Sequence, residues 1–263
     1  MDNETPETPA PILLEVHNLQ MRFGGLSAVD GVNLQVREKQ VVSLIGPNGA
    51  GKTTVFNCLT GFYKPTGGEI LLRGKPIHGL PGHRIARQGV VRTFQNVRLF
   101  RDMTVVENLL VAQHHFLNRN LWGAFFKTAD YRRTEREAMD KIADWLERLD
   151  LTDAANRSAG TLAYGQQRRL EIARCMLTQP TLLMLDEPAA GLNPRETEKL
   201  EELLSELRRE HSLTIMLIEH DMRLVMSISD HIYVVNQGRP LADGTPQEVR
   251  DHPEVIKAYL GES

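Results

Sequence analysis

Gly46, Gly51, Lys52 and Thr53 fit the pattern G-x-x-x-x-G-K-S/T inside the stretch Leu44-Ile-Gly-Pro-Asn-Gly-Ala-Gly-Lys-Thr-Thr54. Residues of these types at this spacing bind nucleotide phosphates. Glycines let the backbone curl until successive N–H groups point inward and form a concave anion site. A helix opening at Thr54 would aim its positive dipole end at the same place. The expected binding set is therefore Gly46, Pro47, Asn48, Gly49, Ala50, Gly51, Lys52, Thr53 and Thr54. Lys52 reaches terminal phosphates as a point charge, and the Thr53 hydroxyl is placed to ligate Mg²⁺. A second chemical group closes the run Thr181-Leu-Leu-Met-Leu-Asp-Glu-Pro188. There Asp186 is the expected magnesium-side carboxylate, and Glu187 the base that orients water. His220 ends another apolar run, Leu213 to Ile218, expected to lie beside the acid-bearing one.

Strands must position these groups. Val41 to Ile45 and Thr181 to Asp186 read as strands buried on both faces, the signature of a parallel α/β sheet. Such sheets bind ligands beyond the carboxyl ends of their strands, where the glycine loop and the acids both fall. Ile12 to Val16, Val32 to Val36 and Gly67 to Leu72 are further strands broken by turn residues. Val90 to Gln95 reads as a strand ending in a polar side chain. Phe23, before Gly24-Gly25, is either a hydrophobic plug or a platform on which a base stacks. From residue 96 the character turns helical, over Glu107 to Ala112 and Glu135 to Leu149, with Ala138, Ile142, Trp145, Leu146 and Leu149 at helical spacing. The segment His114 to Tyr131, with Trp122, Phe125 and Phe126, is aromatic and unperiodic; His114-His115 lacks partners for a metal and reads as a connection. Asn193-Pro194-Arg195-Glu196 starts a helix striped by Leu200, Leu203, Leu204 and Leu207. His231 to Val235 and Arg239 to Ala242 form a hairpin, and Thr245 with Glu248 makes a capping box before a helical tail.

Composition sets outer bounds. The 263 residues are 41% hydrophobic and 25% charged, enough for a substantial core. A net charge of −3 lacks the basic footprint of a nucleic-acid binder, so no nucleic-acid partner is expected. Cys58 and Cys175 lie far apart in apolar helical settings and are expected as buried free thiols in a reducing compartment. No apolar run reaches the roughly eighteen residues a membrane span requires. Met1 to Pro11, rich in Pro, Thr and Glu, reads as a loose tail on a cytosolic chain. Five segments are expected: tail 1–11, nucleotide-binding core 12–95, helical subdomain 96–178, resumed core 179–244 and C-terminal helical tail 245–263.

The ordered set of Gly46–Thr53, Gln95, Leu162-Ala-Tyr-Gly-Gln166, Leu182–Glu187 and His220 resembles the nucleotide-binding subunit of an ABC transporter. The resemblance spans nearly the whole chain after the tail. Phrases such as Ala189-Ala-Gly-Leu-Asn-Pro194, Ile218-Glu-His-Asp-Met222 and the Pro253–Gly261 tail look closest to the ATPase subunits of branched-chain amino acid importers. The fold this implies is α/β: a P-loop NTPase core with an antiparallel β subdomain and an inserted helical subdomain. The resemblance implies an ATPase using ATP and Mg²⁺, with Phe23 stacking on adenine. Gln95 would touch Mg²⁺ and the attacking water at the membrane-subunit contact. Glu187 would be the catalytic glutamate and His220 the switch histidine near the γ-phosphate. Leu162, Ala163, Tyr164, Gly165 and Gln166 would face the ATP of a partner subunit. Implied partners are a second ATPase subunit, two transmembrane permease subunits and, indirectly, an extracytoplasmic substrate-binding protein. The implied location is peripheral, on the cytoplasmic face of the inner membrane.

Two departures stand out. The family signature reads L-S-G-G-Q, whereas here Ala163 replaces its serine and Tyr164 its first glycine. Losing a hydrogen bond to a charged phosphate costs about 1.5–3 kcal/mol. Asn193 also stands where the family has aspartate. Both departures suggest pairing with a different ATPase chain at two unequal composite sites. A P-loop GTPase would need an N-K-x-D base reader, which the sequence lacks. Soluble repair or translation ATPases carry tandem cassettes or long coiled coils that do not fit this length. A lipid or lipopolysaccharide exporter subunit has a similar cassette and stays open as an alternative.

Overall fold

The computed structural model describes residues 10–113 and 129–260. Its centre is a sheet in the order β10-β9-β3-β8-β7-β6, comprising Arg239–Gly244, His231–Asn236, Val41–Ile45, Thr214–Ile218, Leu182–Asp186 and Val90–Arg92. All neighbours are parallel except the edge pair β9–β10. Every residue of β3, β7 and β8 is buried, as their unbroken apolar runs require. β7 pairs with β8, so the strands ending in Asp186 and preceding His220 lie side by side as expected. Their carboxyl ends, with that of β3, form one edge, and the site is built there.

A second, antiparallel sheet runs β2-β1-β4-β5, with β1 at Ile12–Phe23, β2 at Leu26–Arg37, β4 at Gly67–Leu72 and β5 at Lys75–Pro76. β1 continues well past the expected Val16. Bulges between Val16 and Leu19 break its alternation, and Asn18 turns there at φ 48°. β6 is shorter than expected and stops at Arg92. Beyond it the carbonyls of Phe94 and Gln95 accept hydrogen bonds from the Arg168 guanidinium at 2.7 and 2.8 Å. A side chain thus replaces the strand ladder, and the chain is free to bend away.

Helices cover the central sheet: α1 Lys52–Leu59, α2 Gly82–Ala86, α3 Val105–Gln113, α4 Ala129–Arg148, α5 Tyr164–Met176, α6 Pro194–His211, α7 Met222–Ile228, α8 Pro246–Arg250 and α9 Pro253–Leu260. The stripe Leu200, Leu203, Leu204 and Leu207 of α6 is buried, and Asn193 caps that helix by accepting from Glu196 N at 3.1 Å. One core cluster joins α3–α6 to β7 and β8 through residues such as Leu109, Ile142, Leu170 and Leu185. A second lies between the two sheets and around α1. The β9–β10 hairpin turns on Gln237 and Gly238 at φ 48° and 79°, the positive pair that a two-residue hairpin favours. Cys58 and Cys175 are buried free thiols. The aromatic piece, with His114, His115, Trp122, Phe125 and Phe126, lies outside the described residues, and 129–131 already belong to α4. At the start of the described residues Pro11 O accepts from Glu38 N at 2.9 Å.

Candidate functional site

The glycine loop joins β3 to α1 and is shaped by what packs against it. At Gly46 a Cβ would stand 2.0 Å from Val235 O on β9, and at Gly51 2.5 Å from Ala28 O on β2. Gly49 and Gly51 take φ values of 76° and 96°, the left-handed region that glycine enters freely. α1 begins at Lys52 with Gly51 as its cap and no side chain bonded to its first amides, which stay available to an anion. The cleft above the loop measures about 490 Å³. It is lined by residues 48–54, Glu187, Leu26 to Ala28 on β2, and the hairpin turn Gln237-Gly238.

Lys52 is buried, its Nζ turned back to donate to Gly46 O at 2.6 Å and Pro47 O at 3.0 Å. Burial lowers its pKa, and the negative charges of Glu187 and Asp186 oppose that shift. Its hydrogen-bond acceptors are neutral backbone carbonyls, so the partly desolvated charge has no ion pair among the described residues.

The two acids part company at the end of β7. Asp186 is buried and pairs with Arg92 on β6, Oδ2 to Nη2 at 2.5 Å. Arg92 in turn donates to Asn57 Oδ1 at 2.7 Å and lies 5.5 to 5.9 Å from the ring centres of Phe56, Phe62 and Phe94. Glu187 turns out of the sheet at φ 47°, a conformation that costs a non-glycine residue about 1–3 kcal/mol and persists only where its surroundings fix it. They do: its N–H donates to Ile218 O at 2.9 Å, and its C=O accepts from Arg168 Nη2 at 3.3 Å. Gln95 Nε2 donates to Glu187 Oε2 at 3.0 Å. The strand-end glutamine and the acid, 92 residues apart, are thus brought together.

His220 follows β8 with its side chain 62% exposed, Nδ1 3.8 Å from Glu219 Oε2. Phe23 sits at the β1–β2 turn, 43% exposed and edge-on to Tyr63 at 5.2 Å, which removes the buried-plug reading. Leu162 to Gln166 open α5 away from the phosphate cleft; Gly165 and Gln166 instead line a hollow with Leu192, Asn193 and Glu196. Gln166 Oε1 accepts from Ala163 N at 3.2 Å, and Tyr164 is 41% exposed.

Four charged residues escaped the sequence reading: Arg92, Arg168, Glu171 and Glu219. Arg168 is fully buried and donates to Phe94 O, Gln95 O, Glu187 O and Glu171 Oε2. It binds the backbone under both Gln95 and Glu187. The detectable signal was an opposite-charge pair three apart, Arg168 and Glu171, on the helix face that also carries Ile172 and Cys175.

A parallel sheet with a phosphate-binding glycine loop, and acids on the neighbouring strand ends, defines a P-loop nucleotide-binding cassette. The ABC transporter family profile matches residues 29–190, and that of the branched-chain amino acid ATP-binding cassette transporter matches 239–263. The chain is 72% identical over 251 residues to the high-affinity branched-chain amino acid transport ATP-binding protein BraF of Pseudomonas aeruginosa, covering 95% of this chain and 98% of that one. It is 67% identical, with the same coverage, to the corresponding protein LivG of Escherichia coli. Among solved structures, a nucleotide-free ATP-binding cassette from an ABC transporter superposes with a TM-score of 0.81 at 33% identity, covering 95% of this chain and all of that one. The ADP conformation of an ABC transporter cassette gives 0.81 at 32%, covering 95% and 99%. The chain belongs to the ABC transporter family, as an ATP-binding cassette of the P-loop ATPase fold.

Proposed function

We propose that this chain is the ATP-hydrolysing subunit of an importer for branched-chain, hydrophobic amino acids, working at the cytoplasmic face of the inner membrane. The observation that carries the reading is the pairing of a full phosphate loop with Glu187, held by Gln95 over the same cleft. End-to-end similarity to BraF and LivG supports the transported class. Among the described residues no helix is long and apolar enough to cross a membrane; permease partners are proposed from the likeness to transport ATP-binding proteins. Two transmembrane subunits, with a substrate-binding protein outside, are the proposed assembly.

The reaction is phosphoryl transfer to water, in which positioning and charge stabilisation dominate. The loop amides of residues 46–54 and the α1 N-terminus receive the phosphates. Lys52 exchanges Gly46 O and Pro47 O for phosphate oxygens, bringing a partly desolvated charge against the β- and γ-groups. Magnesium suits the donors present: it takes few protein oxygens and completes its shell with phosphate and water. Thr53, Gln95 and Asp186 would hold it, since Asp186 keeps Oδ1 free of hydrogen bonds among the described residues while Oδ2 meets Arg92. Bound there, the ion would supply positive charge against the phosphate oxygens. Glu187 orients water and takes its proton, with Gln95 fixing the carboxylate. His220 is proposed to meet the γ-phosphate, and Phe23 beside Tyr63 offers a face for adenine.

Ala163 to Gln166 lie outside this chain's phosphate cleft and are proposed to meet the ATP of a second, different ATPase subunit. Asn193 supports that asymmetry, because its side chain is spent on capping α6. In the assembled transporter, Glu187→Gln is expected to keep ATP affinity within about twofold and lose turnover at least a hundredfold. Normal hydrolysis by that variant would refute the role of Glu187. Full activity as a homodimer would refute the unequal pairing.

A further inference from the structure

Glu219 directly follows Ile218, the last residue of β8, has no exposed surface and lies outside the machinery described above. Its two carboxylate oxygens accept from two different loops. Oε1 takes the amide of Ala189 at 2.7 Å, two residues beyond Glu187. Oε2 takes the amide of His220 at 3.0 Å and that of Asp221 at 3.4 Å. Asp221 in turn caps α7 by accepting from Arg223 N at 2.9 Å. No Lys or Arg among the described residues pairs with Glu219; its ion-pair contact is His220 Nδ1 at 3.8 Å. A buried carboxylate that spends its oxygens on loop amides fixes backbone rather than balancing charge.

Both loops need fixing. β7 and β8 end in register, Asp186 opposite Ile218, and each chain must then leave the sheet at once. Glu187 does so in the left-handed region, which local sequence does not favour. The Ile218 carbonyl holds the amide of Glu187, and Glu219 holds that of Ala189, so the turn is gripped on both sides. The same carboxylate sets where His220 begins.

We infer that Glu219 is a positioning residue for ATP hydrolysis: a buried staple that keeps the loops of Glu187 and His220 in one arrangement. The inference rests on the roles proposed above for those two residues. Only a carboxylate serves, because two acceptors face N–H donors on both sides. Glutamine has the same shape but sets an NH₂ against one loop whichever way it turns. Glu219→Gln therefore frees one loop without emptying the core.

The test uses the full-length chain assembled with its permease and ATPase partners. For Glu219→Gln we expect unchanged ATP affinity, within twofold, and turnover lowered about ten- to a hundredfold, the worth of one hydrogen bond to a charged group. Amide exchange at Ala189 or His220 should quicken. Combined with His220→Ala, turnover should fall no more than about threefold below the poorer single variant, because groups acting as a unit are not additive. Wild-type turnover by Glu219→Gln, fully multiplicative losses in the double variant, or parallel losses of affinity and Tm would each overturn the inference. His220→Ala alone turning over at the wild-type rate would instead overturn the histidine role on which the inference depends, and the two failures are told apart by which single variant is impaired.

Discussion

Replacing Arg168 by methionine removes the cation on which the floor of the site is fastened. The side chain is fully buried and donates to Phe94 O at 2.7 Å, Gln95 O at 2.8 Å, Glu187 O at 3.3 Å and Glu171 Oε2 at 3.0 Å. Methionine fills most of the space and makes none of these bonds. Glu171, itself buried, keeps only the Arg98 amide at 2.9 Å. Breaking a buried pair from one side costs about 3–5 kcal/mol. At roughly 2–4 °C per kcal/mol for a chain of about this size, Tm should fall by about 6–20 °C. The loss should also depend on pH. Burial raises the Glu171 carboxyl above 4.5, against the pull of the Arg98 amide and the Arg168 charge. A folded-state pKa above the unfolded one means the native state holds the extra proton between the two values. Stability therefore falls as pH rises through that window. Without Arg168 the window extends further up, so the deficit relative to wild type grows toward neutral pH and shrinks on acidification. Thermal unfolding followed by circular dichroism at pH 5 and pH 8 measures both effects. A deficit under about 2 °C at pH 8, or one larger at pH 5, would refute the assignment of Arg168 as the compensating charge.

Gly46→Ala puts a methyl group 2.0 Å from the Val235 backbone oxygen, an obstacle no rotamer can clear. It should cost about 1–3 kcal/mol of stability and abolish nucleotide binding, read by thermal melts and nucleotide titration. The cysteines should be silent in the native state. Burial pushes Cys58 up to about 11 and Cys175 up to about 12, so neither carries appreciable thiolate near neutral pH. A thiol reagent at pH 8 should label both only after denaturant is added.

Most of the sheet edge that carries the candidate site was legible because its strands advertise themselves. β3 and β7 are unbroken apolar runs stopped abruptly by Gly46 and by Asp186-Glu187, and a buried strand has no other way to look. The neighbouring position of β8 followed from the same logic. What stayed hidden depends on partners distant in sequence. Arg92 meets Asp186 across 94 residues, Arg168 reaches Phe94 across 74, and Glu219 reaches Ala189 across 30. Nothing local to these residues distinguishes them from solvated charges. The far half of β1 was hidden for a different reason: its bulges shift the inward face, so period-two alternation fails where the strand in fact continues.

The central claim is that the amides of the glycine loop, helped by Lys52, hold the triphosphate of a magnesium nucleotide. Calorimetric titration of MgATP into wild type and Lys52→Ala measures it most directly. The account predicts clear heat of association for wild type and a Kd raised about ten- to a hundredfold in the variant, the worth of a charged hydrogen bond. An unaltered Kd for Lys52→Ala, or no association with the wild-type chain, would contradict it.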